Sequence, residues 1–508
     1  MEESLPIDNI LLSLNIDGLP ISKSSSKCFW PILISDSILK AVQIIGVYCG
    51  SKKPTSANEF IKPFVDEIKS VVSNGFSYEG HIINVVLSKI ICDAPAKSFI
   101  LYTKGHSGYS SCSKCVIIGE YINKTTCFPF SKTPLRLRTD ESFYYQTDTA
   151  YHLGQSLLQE IPNLGLVTSV TLDYMHIVCL GVMKKLLILW VKGPLSLRIG
   201  GKSCNNISEN LVALKNCMPV EFSRKPRSLA ELPYWKATEF REFLLYTGPL
   251  VLQSVLKPEV YEHFLCFHIA ISILTNPKLI KNEQFFEYAD KLLNCFVENF
   301  EILYGKQYIS HNVHSLLHLC DEVKKFGVLD NFSAFPFENF LALLKKFIRK
   351  PEKPLQQLVN RHKELQSKCL SKNNKKENEI ELKYQHNYGP LLPDLISDNF
   401  KQYKYIKINK YIINCDKKND NVIMLSNKII ILVLNVIKNN NDIIILGKKY
   451  KIISSIYNKP CESNELDMYI VRESNKVSSW SVNLAYCKMV IIPKSGSEFY
   501  VMPLRHTQ

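Results

Sequence analysis

The hydrophobic periodicity near the start of the chain limits its fold more than any other feature. Apolar residues form short, strand-like runs at 10–18, 28–35, 42–50 and 85–96, and residues 58–75 have the three- and four-residue spacing of a helix. Three antiparallel strands, a helix and a returning strand are the opening of a ribonuclease-H-like α/β core. Other α/β folds begin in the same way, so the pattern favours this fold without excluding them.

The periodicity changes twice further along the chain. From about 153 to 369, segments with helical spacing follow one another, and prolines separate many of them. Residues 371–384 are polar and charged, as in a linker. Beyond about 400, short apolar runs separated by asparagine-rich turns predict a small all-β domain. A chain of 508 residues is long enough for two to four domains.

Three carboxylates could form a two-metal site. Asp17 ends the first predicted strand and Asp93 the fourth, and these strands are neighbours in a ribonuclease-H-like sheet. Glu338 lies near the start of an amphipathic helix, in the apolar sequence FPFENFLALLKKF. Acidic side chains are the ligands that Mg²⁺ or Mn²⁺ requires, and phosphodiester chemistry uses two such ions. Each acid taken alone also fits a solvated turn or helix N-terminus.

A second group of residues fits zinc. Cys112 and Cys115 have the CxxC spacing of half a tetrahedral site, and His314 and His318 lie one helical turn apart. Together they would join the loop after Asp93 to the helix before Glu338. A lone CxxC is a weak signal, buried histidines are often core residues, and the nearby His311 could compete as a ligand.

Two further sets of residues are candidates. Asp173 and His176 begin a helix, where an aspartate N-cap and a core histidine are the simpler explanation. Seven basic residues follow Glu338 and could contact DNA phosphates, although such a run is more often a solvated helix face. They are Lys345, Lys346, Arg349, Lys350, Lys353, Arg361 and Lys363.

Composition narrows the function classes. The net charge of +15 favours a nucleic-acid partner over an anionic membrane. The first residues have no apolar signal segment and no apolar run is long enough to cross a bilayer, so we expect a soluble intracellular protein without a membrane partner. Its sixteen cysteines should then be buried thiols or metal ligands. No P-loop, GxGxxG, GxSxG or HExxH motif is present.

Five segments, in this order, resemble DDE transposases of the CACTA/EnSpm (CMC) group, and in particular the transposase-derived proteins of invertebrate genomes. The resemblance covers roughly residues 8–370. The segments are NIDGLPISKSSSKCFWPIL (15–33), CDAPAKSFILYTKGHSGYSSCSKC (92–115), LDYMHIVCLGVMKKLL (172–187), WKATEFREFLLYTGP (235–249) and NVHSLLHLCDEVKKFGVLDNFSAFPFENFLALLKKFIRKP (312–351).

The resemblance implies DNA strand cleavage and transfer at two Mg²⁺ or Mn²⁺ ions. It assigns the catalytic acids to Asp17, Asp93 and Glu338, a structural Zn²⁺ site to the CxxC and HxxxH pairs, and the family's DxxH motif to Asp173 and His176. It also implies a ribonuclease-H-like core interrupted by a helical insertion. We therefore expect five regions: 8–150 with the CxxC loop, the insertion 151–305, returning helices 306–370, a linker 371–399 and a β-rich domain 400–508.

One departure from the family affects the expected function. Relatives usually have a longer N-terminal region with a DNA-binding module, whereas 16 residues precede Asp17 here. We therefore expect a truncated or domesticated nuclear transposase core that binds DNA and is homo-oligomeric if active. The alternatives are a non-catalytic DNA-binding or chromatin adaptor and, less favoured, a nuclease without strand transfer.

Overall fold

The structure is a computed structural model that describes residues 9–21, 26–370, 380–393, 400–408, 411–440 and 442–506. Its strands and α-helices follow in chain order: β1 (Asn9–Ile16), β2 (Leu19–Pro20), β3 (Cys28–Asp36), β4 (Val42–Gly50), α1 (Ala57–Asn74), β5 (Phe76–Tyr78), β6 (His81–Ile90), α2 (Ala94–Leu101), β7 (Glu120–Ile122), β8 (Thr125–Cys127), α3 (Asp140–Tyr144), α4 (Lys184–Lys192), α5 (Gly201–Ala213), α6 (Ala237–Glu242), α7 (Gly248–Val251), α8 (Pro258–Leu274), α9 (Glu283–Tyr304), α10 (His311–Ser315), α11 (Leu319–Phe326), α12 (Phe335–Phe347), α13 (Pro354–Leu370), β9 (Glu381–His386), β10 (Phe400–Ile408), β11 (Tyr411–Asn414), β12 (Val422–Leu425), β13 (Ile430–Asn439), β14 (Asp442–Ser455), β15 (Tyr469–Ser481), β16 (Ala485–Pro493) and β17 (Glu498–Pro503).

The chain divides into two compact units. The first contains residues 1–182 and 297–373, and the second contains 183–296 and 374–508. Each unit is therefore built from two separate stretches of sequence. None of the described helices is both long and apolar enough to cross a membrane.

The first unit contains a six-stranded sheet in which β4, β3, β1 and β6 are successive neighbours. β1 pairs antiparallel with β3 and parallel with β6, so the C-terminal ends of β1 and β6 meet at one edge. Val170 adds a short parallel bridge to Ile90, on the far side of β6 from β1. The apolar face of α1, including Ile61 and Val65, packs in the core of this unit.

One predicted strand is too long at its C-terminal end. The sequence predicts a strand over 85–96, whereas β6 ends at Ile90 and α2 begins at Ala94. Asp93 accepts the Ala96 N–H at 2.7 Å and caps this helix, and Pro95 is suited to its first turn. Asp93 therefore lies just beyond the strand rather than within it.

The second unit combines helices with an all-β C-terminal sheet. Six antiparallel strands form a closed ring, because β13 pairs with both β12 and β14 while β16, β17 and β15 complete the circuit. Ring closure satisfies backbone groups that open edges would leave unpaired. Within the predicted linker, β9 pairs with β10, while residues 371–379 and 394–399 lie outside the described residues. The sheet thus begins before residue 400.

Candidate active site and metal centre

The sheet brings two predicted acids to one edge. Asp17 follows β1 and Asp93 follows β6, and these strands are parallel neighbours. Beyond the strand ends the pairing continues, because the Ile91 N–H donates to Leu14 O at 2.8 Å and Asn15 Nδ2 donates to Ile91 O at 2.7 Å. Both carboxylates are half-buried. Gly18 lies close to Trp30, because a Cβ at this position would be 3.1 Å from the Trp30 ring.

Glu338 lies in the first turn of α12, and its helix is held at its N-terminus. Asp173 Oδ1 accepts the Ala334 N–H at 2.7 Å, across 161 residues of sequence. Lys89, near the end of β6, donates to Asn331 O at 2.8 Å. These bonds fix the start of the helix relative to the edge of the sheet.

The electrostatics of the three predicted acids are coupled. Burial, followed by the charges of Asp93 and Glu338, raises the pKa of Asp17 to about 7, against a lowering hydrogen bond from the Gly18 N–H. The pKa of Glu338 is also raised, first by burial, although His176 and a hydrogen bond with Asp17 oppose this shift. Asp93 and Glu338 are thus close enough to Asp17 to raise its pKa. The arrangement is rich in negative charge and suits a cation.

The three carboxylates are not gathered as tightly as the ligands of a single ion. Among the described residues, one group of three or more His, Cys, Asp or Glu side chains has ligand atoms that all lie within 4.8 Å of one another. This group does not include Asp17, Asp93 or Glu338. Two ions about 4 Å apart would divide the ligands between them, so a two-metal site does not require such a group.

Asp173 and His176 form a pair beside this site. Asp173 is 2% exposed, and its Oδ2 accepts both the His176 backbone N–H, at 3.2 Å, and a hydrogen bond from His176 Nδ1. Burial would lower the pKa of His176, but the bond to Asp173 and the charges of Asp173, Asp93 and Glu338 raise it to about 9. His176 therefore carries positive charge next to the acids, a role beyond that of a core histidine.

The candidate zinc ligands form a compact buried cluster. Cys112, Cys115, His314 and His318 are all buried, and their ligand atoms lie within 4.8 Å of one another. Four of the separations are Cys112 Sγ to Cys115 Sγ 3.6 Å, Cys115 Sγ to His314 Nε2 3.3 Å, Cys112 Sγ to His318 Nε2 3.6 Å and His314 Nε2 to His318 Nε2 3.4 Å.

These separations fit a tetrahedral zinc ion. With Zn–S near 2.3 Å and Zn–N near 2.0–2.1 Å, the edges of an ideal tetrahedron are about 3.8 Å between sulfurs, 3.6 Å between sulfur and nitrogen and 3.3 Å between nitrogens. Burial would raise the pKa of Cys112, but hydrogen bonds from Cys115, His314 and His318 lower it well below its usual range. The buried Cys₂His₂ cluster could therefore hold a zinc ion.

His311 lies beside the cluster rather than in it. Its Nε2 is 3.3 Å from the Ser111 carbonyl oxygen, next to Cys112. Burial lowers the pKa of His311 to about 4, so the ring is neutral and donates this hydrogen bond. His311 supports the loop that carries the two cysteines instead of competing for the ion.

A buried ion pair that was not predicted from the sequence holds this loop. Lys114, between the two cysteines, contacts Glu322 at 2.6 Å and donates to the carbonyl oxygens of Val167 and Val170 at 2.8 Å each. Glu322 in turn accepts the Leu172 N–H at 3.0 Å. The pair thus connects the CxxC loop, the segment before Asp173 and α11. Periodicity could have indicated Glu322, because it occupies a buried position of an amphipathic helix.

The basic residues after Glu338 lie on α12, α13 and the loop between them. Arg361 is half-buried and pairs with Glu364 at 2.6 Å, whereas the other six are exposed. Gln357 holds the loop, because its Oε1 accepts the Arg349 N–H at 3.0 Å and its Nε2 donates to Lys350 O at 2.9 Å. The loop therefore presents its cations on an ordered backbone.

Comparisons with known proteins identify a matching domain and a distant structural likeness. Residues 385–504 match the family model described as Domain of unknown function (DUF8592). No curated protein matches the chain. Among solved structures, the Drosophila P element transposase strand transfer complex aligns with a TM-score of 0.33 and 10% identity, over 73% of this chain and 78% of that chain. A likeness this weak leaves the function to be inferred from the arrangement of the side chains.

Proposed function

We propose that the chain is the catalytic core of a DDE transposase of the CACTA/EnSpm type, with a ribonuclease-H-like core that cleaves and transfers DNA strands. The observation that carries this proposal is the closeness of Asp93 and Glu338 to Asp17, whose pKa they raise, although the three acids lie after β1, at the β6–α2 junction and in α12. The strand order and the parallel pairing of β1 with β6 support the same core. The sequence resemblance supports the family.

In this proposal Asp17, Asp93 and Glu338 hold two Mg²⁺ or Mn²⁺ ions. When bound, such ions activate water or a DNA 3′-hydroxyl and stabilise the leaving oxygen. Asp173 positions Glu338 by binding the start of α12, and it keeps His176 oriented toward the acids. The Cys₂His₂ cluster holds a structural Zn²⁺ that joins the loop after α2 to the helices before α12.

DNA is the proposed substrate, and the nucleus the proposed location. The ordered basic loop after Glu338 would contact phosphates, with Lys345, Lys346, Arg349, Lys350, Lys353 and Lys363 exposed for this purpose. Arg361 has a smaller role in this proposal because Glu364 pairs with it. We infer that the active form is an oligomer of this chain, as expected for a transposase of this family.

Manganese-dependent nicking of supercoiled plasmid tests the proposal without knowledge of a target sequence. The wild-type chain should convert supercoiled plasmid to open circles, and Asp93→Asn should lose this activity while keeping its bound zinc. Asp66→Asn is a matched control, because Asp66 is an exposed acid on α1 paired with Lys62.

Equal nicking by wild type and Asp93→Asn would exclude the DDE assignment. Metal-independent DNA binding by both proteins, without nicking by either, would instead favour the non-catalytic adaptor. The control should behave as wild type in every case, since Asp66 lies outside the carboxylate site.

A further inference from the structure

The C-terminal β region carries more than its share of the positive charge. Residues 400–508 contain seventeen lysines and arginines against eight aspartates and glutamates, so about a fifth of the chain provides nine of the fifteen excess charges. The sheet itself needs no such excess, because its ring of strands is filled by buried apolar residues. A charge imbalance of this size indicates a polyanionic partner.

Part of this charge is concentrated along a groove in the second unit. A cavity of about 450 Å³ is lined by the turn before β13, by β14 and by Ser474 of β15. Three exposed lysines surround it: Lys428, Lys449 and Lys451. We call this feature the lysine groove. Lys449 and Lys451 lie on the same side of β14 because successive side chains of a strand alternate.

The charges of the lysine groove are only partly neutralised within the protein. Lys428 contacts Asp467 at 3.1 Å, whereas no ion pair joins Lys449 or Lys451 to a carboxylate in the described residues. Lys451 is also directly opposite Arg472 on β15. Like charges in opposed positions destabilise a sheet, and Glu498 pairs with Arg472 at 3.0 Å and with Lys494 at 3.2 Å rather than with Lys451. An external anion would relieve this repulsion.

The spacing and chemistry of the lysines fit a nucleic-acid backbone. Same-side residues of a strand are about 6.8 Å apart, which is close to twice the ~3.4 Å rise per nucleotide along one DNA strand. Lysine ammonium groups act as point charges without the planar geometry that arginine uses for paired carboxylate oxygens. Contacts of this kind bind phosphates in any sequence and carry no base specificity.

We propose that the lysine groove binds the phosphodiester backbone of double-stranded DNA. The inference assigns a ligand to the region that matches a domain of unknown function. It rests on the proposed function only for the premise that DNA is the substrate, and it does not depend on catalysis. DNA would contact Lys449 and Lys451 along β14, with Lys428 at the turn beside them.

The test is the salt dependence of binding to a fluorescently labelled DNA duplex of arbitrary sequence. Anisotropy is measured on the full-length chain without added Mg²⁺ or Mn²⁺, in an Asp93→Asn background, so that catalysis cannot alter the result and the zinc site stays intact. Replacing Lys449 and Lys451 by Gln should remove two phosphate contacts. The slope of log K against log [salt] should then fall by about 1.8, with about tenfold or greater weakening near 0.1 M salt.

The matched control replaces two other exposed lysines of the β region by Gln, Lys417 and Lys418, which removes the same net charge. This variant should keep the wild-type slope. Neither variant should melt below the parent, because all four side chains are exposed and the replacement of Lys451 removes a repulsion with Arg472.

Three results would overturn the proposal. The first is an unchanged slope in the groove variant, and the second is an equal loss in the control variant. The third is weaker binding to phosphatidylserine vesicles with unaltered DNA binding, which would assign the groove to a membrane surface. Failure of plasmid nicking leaves this test unaffected.

Discussion

At the residue scale, Asp17 shows how burial and neighbouring charges change the protonation of the proposed carboxylate site. Burial and the neighbouring Asp93 and Glu338 raise its pKa from 3.8 to about 7. A carboxyl group with a raised pKa holds its proton until the pH exceeds that value, so below about pH 7 the metal-free site is protonated at Asp17. A bound divalent cation favours the charged form and displaces this proton.

We therefore expect Mn²⁺ binding to release close to one proton near pH 6 and almost none near pH 8.5. Titration calorimetry in two buffers with different ionisation enthalpies measures the number of protons released. The same proton release at both pH values would show that Asp17 does not bind the ion. Asp66→Asn, on the exposed face of α1, serves as the control and should reproduce the wild-type pH dependence.

The zinc ligands give a second prediction at this scale. Cys112→Ser should lower bound zinc from about one ion per chain to nearly none and should lower the melting temperature, because a structural site contributes its binding energy to folding. Elemental analysis and thermal unfolding measure the two effects. The control is Cys204→Ser, because Cys204 is a half-buried cysteine outside the cluster, and this variant should keep its zinc. Retention of zinc by Cys112→Ser would show that the cluster does not bind it.

At the scale of the elements, the local sequence predicted where strands and helices lie better than it predicted contacts between distant segments. The strands 10–18, 28–35 and 42–50 and the helix 58–75 correspond to β1, β3, β4 and α1, because their periodicity is a local property. The predicted C-terminal end of the strand 85–96 was wrong. Ile91 and Cys92 are buried and apolar, as strand residues often are, but they lie beyond the end of β6. A proline and a capping aspartate decided where α2 begins.

The residues of the candidate site could be predicted where their spacing in the sequence is typical of metal ligands. Cys112, Cys115, His314 and His318 have ligand spacings, and the structure brings all four together. Lys114, Glu322 and Gln357 have no such spacing, since their roles come from partners that are distant in sequence or from a loop backbone. A single sequence contains no local pattern for a contact of that kind.

The Lys114–Glu322 pair leads to a prediction at the element scale. Glu322→Gln leaves Lys114 as a buried charge without its partner, which costs about 3–5 kcal/mol. Denaturant unfolding should show this loss, and zinc should dissociate at lower denaturant because the CxxC loop loses its link to α11. Asp66→Asn breaks an exposed pair and should cost less than about 1 kcal/mol. A loss for Glu322→Gln as small as that of the control would contradict a structural role for the pair.

At the scale of the whole molecule, the sheet of the second unit depends on residues that precede their partners by about 190 to 270 positions. Lys488 is completely buried on β16 and contacts Glu221 and Asp420 at 2.7 Å each. Glu221 also accepts the Ile412 N–H at 2.9 Å, and Tyr246 contacts His506 Nδ1 at 2.8 Å. The helices of 183–296 and the sheet thus share buried polar groups.

We therefore expect the helices and the sheet of the second unit to unfold together. Glu221→Gln removes one of the two carboxylates that compensate a fully buried lysine and should lower the unfolding free energy by less than about 3 kcal/mol, because Asp420 still pairs with Lys488. In hydrogen-exchange mass spectrometry, amides of α8, β12 and β16 should lose protection by the same factor, as members of one cooperative unit. Amides of β1 and β6, in the first unit, should keep theirs.

Glu209→Gln, an exposed substitution on α5, should leave all of these rates unchanged. Loss of protection confined to β12 and β16 would mean that the sheet opens independently of the helices. In that case the Glu221–Lys488 contact would join two separately stable parts, each with its own opening energy. Equally faster hydrogen exchange in α8 and in the sheet would instead show that the region matching the domain of unknown function needs residues 183–296 in order to stay folded.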